Sequence, residues 1–144
     1  MHRIGSYVEF PLFAAEYVLG ERLLHDQQQL GFVPPGQHPD SPRVPSGLLT
    51  AHTVVAGGLG VLFAFNTVTG GWNLWESRKA PAGRTRRIVH TVLMLAADAG
   101  FAATGAVGGG AKHSQSNANT HRGLAEASMA VAGAGTIMMW VWNH

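Results

Sequence analysis

Three stretches of this chain, residues 47–71, 88–107 and 121–142, are runs of apolar and small residues without a proline. At about 1.5 Å of rise per residue, each is long enough as a helix to cross about 30 Å of hydrocarbon. A backbone in lipid must satisfy its own hydrogen bonds, so spans of this kind are helices. The sequence therefore predicts an all-α integral membrane protein, a single membrane domain over residues 1–144. Charged residues make up 12% of the chain, about half the usual share, too few to cover a water-soluble particle.

A fourth segment, 4–24, carries Glu9, Glu16, Glu21 and Arg22 and would insert poorly alone. Glu9 and Glu16 are seven residues apart and share one helix face. If that face turns toward the other spans, the chain is a four-helix membrane bundle.

The connections set the orientation. Residues 25–46 carry Pro34, Pro35, Pro39, Pro42 and Pro45 and are expected to be irregular. Residues 72–87 hold Arg78, Lys79, Arg84, Arg86 and Arg87, five of the ten basic residues. By the positive-inside rule this loop faces the cytoplasm, and both termini with it. Trp72, Trp75, Trp140 and Trp142 fall on the same side, where an interfacial aromatic belt sits. The expected location is a multi-pass position in a bacterial-type inner membrane, with the lipid bilayer as first partner. The N-terminal "MHRIGSYVEF" has no signal-peptide pattern and is expected to be retained.

Several chemistries lack their residues. Without cysteine there is no disulfide and no thiolate site. The basic residues are gathered in one loop between apolar segments, which speaks for topology and not for nucleic acid. No P-loop, dinucleotide fingerprint or GxSxG motif occurs, and no catalytic residue is assigned. A carboxylate-bridged di-metal centre needs Glu-x-x-His pairs, and Glu21 with His25 has the wrong spacing.

The histidines are more informative. With alternating spans, His52 and His121 begin the second and fourth helices at one membrane face, while His90 begins the third at the other. Ala56 and Gly60 follow His52; Ala125, Ser128, Ala132 and Gly135 follow His121. Two such stripes of small residues facing each other leave a slot for a flat macrocycle, with His52 and His121 as axial metal ligands. Small residues at this spacing are also a helix-packing device in membranes, and that reading stands beside the first. Asp98, near the middle of the third span, is expected to face the bundle interior. Glu16 or Glu126 is placed to pair with a histidine and fix its tautomer.

In "AHTVVAGGLG", "RRIVHTVLML" and "NTHRGLAEASM" a histidine stands near the head of each successive span, with glycine-rich faces between. Over residues 50–142 this pattern resembles the cytochrome b561-like membrane haem proteins, in which alternate helices pair histidines across two haems. The resemblance implies haem b held by His52 and His121 with Ala56, Gly60 and Ser128 about it. It also implies electron transfer, with a quinol and an outer-face redox protein as partners. His90 has only the terminal His2 and His144 on its side, so the second haem of that family lacks a ligand pair. The alternative is a cofactor-free accessory subunit of a larger respiratory or photosynthetic membrane complex.

Overall fold

A computed structural model describes residues 2–33, 36 and 44–142. They form four helices: α1 (His2–Leu30), α2 (Ser46–Glu76), α3 (Arg84–Gly108) and α4 (Gln115–Val141). No strand occurs among the described residues. The protein is an all-α bundle, and α2, α3 and α4 are each long and apolar enough to cross a membrane. His144, the side chain of His2 and most of the proline-rich connection lie outside the described residues.

The first connection begins later than the sequence suggests. Residues 25–30 were expected to be irregular, yet α1 continues through them to Leu30. The breaking prolines begin only at Pro34, and the turn itself is made by Gly31 at φ 86°. Pro11 lies inside α1. Lacking an N–H, it removes the rung that would close on the Tyr7 carbonyl. α3 starts just after Gly83, which takes up a left-handed conformation at φ 67°.

The helices are arranged in a ring. α3 packs most extensively on α4 and α1 on α2, while α2 with α3 and α1 with α4 close the circle. α2 and α4 are thus diagonal, as are α1 and α3. In the middle, Phe13 of α1, Phe63 of α2 and Phe101 of α3 meet with ring centres 4.7–6.0 Å apart. The fully buried Ala97 and Ala132 complete this core from α3 and α4.

Polarity is distributed as a membrane demands. The buried side chains include Glu9, Glu16, Asn66, Thr104, Ser128 and Thr136. Val54, Val61, Phe65 and Val68 of α2 point outward, Val61 with 72% of its surface exposed. Only 11% of the most apolar window of α2 is buried inside the bundle. In water such a face would seek cover; in hydrocarbon it is solvated, and the polar groups gather inside.

One end of the bundle is tied across its two loops. The Val33 N–H donates to the Lys112 carbonyl at 3.2 Å, and His113 Nδ1 lies 2.8 Å from the Val33 carbonyl. Gln28 adds a side-chain bond to Gln115. This is the capped end; the opposite end carries the arginine-rich α2–α3 loop.

Candidate functional site

Beneath the capped end, all four helices place one group in the same small volume. His52 lies in the second turn of α2 and His121 in the second turn of α4. Because α2 and α4 are diagonal, the two imidazoles meet across the bundle rather than along one interface. Their ring centres are 6.2 Å apart and their planes cross at 74°. Glu16 of α1 and the Thr104 carbonyl of α3 flank them from the other diagonal.

The ring nitrogens are differentiated. His52 Nδ1 lies 2.9 Å from Glu16 Oε1, and His121 Nδ1 lies 3.0 Å from the Thr104 carbonyl oxygen. At His121 the accepting carbonyl favours the tautomer that carries its proton on Nδ1 and leaves a lone pair on Nε2. The Glu16 contact has ion-pair distance without hydrogen-bond alignment. His52 Nδ1 and Glu16 Oε2 are buried with no aligned partner.

Space around both rings is set by glycine. A Cβ at Gly108 would come within 3.3 Å of His121 Cε1, closer than ordinary packing. One at Gly20 would stand 3.8 Å from His52 Cε1. On the exposed side, Arg122 Nε bridges Glu21 and Glu126, 2.8 Å from an oxygen of each. This links α1 to α4 at the rim.

His52 and His121 are the ring-nitrogen donors that meet in this volume. An imidazole nitrogen sits about 2 Å from a first-row metal and about 1.1 Å from its own ring centre, so two rings flanking one ion have centres about 6 Å apart. Among the described residues no three or more His, Asp or Glu groups converge as a cage.

The slot of small residues expected beneath the pair is not formed. Ala56 and Gly60 are exposed on the outer face of α2, and nothing lies within 4 Å of a Cβ built on Gly60. The residues of α2 that turn inward below His52 are Leu59, Phe63 and Asn66. Ser128 is buried, as are Ala132 and Gly135, but this stripe of α4 is filled by α3. Ser128 donates to the Leu124 carbonyl at 2.6 Å, and its Oγ occupies the place a Cβ on Gly100 would need. Gly135 likewise meets Met94, Leu93 and His90. Helix packing accounts for the α4 stripe.

His90 stands apart from the pair, near the arginine-rich end, with Nδ1 3.2 Å from the Gly135 carbonyl. Asp98 accepts a hydrogen bond from Thr67 of α2, and its Oδ1 is buried without a partner. Glu126 pairs with Arg122 rather than with a histidine. Thr104, Gly20 and Gly108 were not singled out in the sequence. Gly108 closes α3 at the level where α4 must enter, a position that could have been flagged.

No family model matches the chain, and no curated protein or solved structure is similar to it.

Proposed function

We propose that this chain is a small b-type cytochrome of the membrane, with His52 and His121 as the axial ligands of one haem b. The supporting observation is the imidazole pair itself: 6.2 Å apart across the bundle diagonal, each Nδ1 beside an acceptor. Bound there, haem supplies a one-electron couple. The Thr104 carbonyl would orient the His121 ring, and Glu16 stands beside the His52 ring. Phe13, Phe63 and Phe101 form an apolar floor that keeps water from the interior, an environment that bears on the potential. Held by two histidines, the haem would have no open position for oxygen, and electron transfer is the role we propose. A quinol in the bilayer and a redox protein at the capped end are the expected partners. The orientation that goes with this reading has both termini in the cytoplasm of a bacterial-type inner membrane and the capped end outside.

The test is the visible spectrum of the full chain, expressed with ample haem and purified in detergent. A reduced b-type band is expected. His52→Ala and His121→Ala should each lose it while inserting normally, and His90→Ala should keep it. A colourless wild-type protein overturns the reading. One observation favours a second possibility, a cofactor-free accessory subunit of a larger respiratory or photosynthetic complex. The face of α2 bearing Gly57 and Gly60 is bare and would let another helix approach closely.

A further inference from the structure

The geometry points to a second site, at the arginine-rich end, that binds the headgroup of an anionic phospholipid. It depends on the helices spanning a membrane and is independent of haem.

Between the end of α2 and the start of α3 lies a cavity of about 200 Å³ lined by Leu74, Ser77, Arg78, Arg84, Arg87 and Ile88. Drug-sized ligands occupy roughly 300–1,000 Å³. The space here suits a phosphodiester with the first carbons of its glycerol. The cavity's lining, from Leu74, Ile88 and the arginine stems, is almost wholly apolar and the hollow is half open, so the guanidinium charge acts at its mouth and not within it.

Each arginine has a distinct part. Arg87 is committed to the loop: its Nη1 donates to the Ala82 carbonyl at 2.7 Å and its Nη2 to Ala80 at 2.8 Å. Its Nε is buried with no hydrogen-bond partner among the described residues. Arg78 lies over the Trp75 ring, 4.2 Å from its centre, and is held there by a 2.7 Å bond to the Trp75 carbonyl. Arg84 is exposed in the first turn of α3, where Gly83 provides no side-chain cap. The positive end of the helix dipole thus adds to the guanidinium charges.

The loop carries an excess of basic over acidic side chains. Residues 72–87 contain five basic side chains and one acidic residue, Glu76. Glu76 accepts a hydrogen bond from Trp72 Nε1 at 2.8 Å. Depth identifies the anion as a lipid. Trp72 and Trp75, 68% and 66% exposed, mark the level of the membrane interface. At that level a cationic rim over apolar walls matches an amphiphile better than a free ion, as in other basic pockets between membrane helices.

The experiment is native mass spectrometry of the full chain after exchange into an equimolar mixture of dioleoyl phosphatidylglycerol and dioleoyl phosphatidylcholine. Preferential retention of phosphatidylglycerol is expected. The preference should fall about fivefold for each charge removed in Arg78→Gln and Arg84→Gln. Lys79→Gln, outside the cavity, should leave it unchanged. Equal retention of both lipids by the wild type overturns the proposal, as does an unaltered preference in the Arg78→Gln/Arg84→Gln variant. If that variant fails to fold, the wild-type ratio still decides. A separate arm measures thermal unfolding in phosphatidylcholine. If millimolar inorganic phosphate stabilises the protein as much as phosphatidylglycerol does, the ligand is a free anion and the lipid assignment falls.

Discussion

Thr136 of α4 donates its hydroxyl to Glu9 of α1 across 2.8 Å, joining residues 127 positions apart inside the bundle. Glu9 is 1% exposed, so this bond is a principal means by which its carboxyl is satisfied. Thr136→Val removes the donor and should cost about 1–3 kcal/mol. Thr136→Ser restores the hydroxyl and should recover most of the loss. Thermal unfolding of the two variants in the same detergent makes the comparison.

The glycines divide into two kinds, and alanine substitution should separate them. A Cβ on Gly100 would overlap Ser128 Oγ, so Gly100→Ala forces α3 and α4 apart and should be strongly destabilising. Adding Ser128→Ala removes the overlapping oxygen and should recover part of the stability. Gly60→Ala meets nothing within 4 Å. It should be neutral or stabilise α2 by roughly 0.5–1 kcal/mol, since glycine is costly in a helix interior.

Asp98 receives its hydrogen bond from Thr67 while its Oδ1 has no partner. Thr67→Val therefore strips the carboxyl of its donor and should destabilise by about 1–3 kcal/mol. Asp98→Asn keeps an acceptor for Thr67 and removes an ionisable group from the membrane interior, where charge is expensive. Its stability should equal or exceed that of the parent, read from denaturant titration in mixed micelles.

Topology can be read by labelling, because the chain has no cysteine of its own. Lys112→Cys at the capped end should react with a membrane-impermeant maleimide added to intact cells. Ala82→Cys, in the arginine-rich loop, should react only after permeabilisation. The opposite pattern inverts the proposed orientation.

The spans were legible because length and apolarity are properties of the sequence alone. So was the closeness of the His52 and His121 rings, since alternating helices put them at one level. The faces beneath them were legible on only one helix, for a geometric reason. At about 100° per residue, positions 7, 11 and 14 after a helical residue return to within about 40° of its direction, whereas position 8 lies about 80° away. Ser128, Ala132 and Gly135 follow His121 at the first set of spacings and are buried. Leu59, Phe63 and Asn66 follow His52 at the same spacings and are buried too. Gly60, at a spacing of eight, rotates out to the lipid side; Ala56, at a spacing of four, lies about 40° off toward the same flank and is exposed as well. Asn66, in register with His52, was the polar mark of the inward face of α2. The Thr104 carbonyl beside His121 is a backbone atom, which no residue type could announce.

The inward placement of Glu9, Glu16, Asn66, Thr104, Ser128 and Thr136 and the outward placement of Val54, Val61, Phe65 and Val68 reverse the arrangement of a protein built for water. This reversal governs which genetic changes the chain can absorb. On its outward faces leucine, valine, isoleucine and phenylalanine are interchangeable, and a single lysine is ruinous. Inside, a hydroxyl exchanged for a methyl of equal bulk loses a partner that no solvent replaces. Drift will therefore blur the apolar surface while holding the interior hydrogen-bonding residues fixed, so diverged descendants would be recognisable by their buried polar set rather than by their hydrophobic residues.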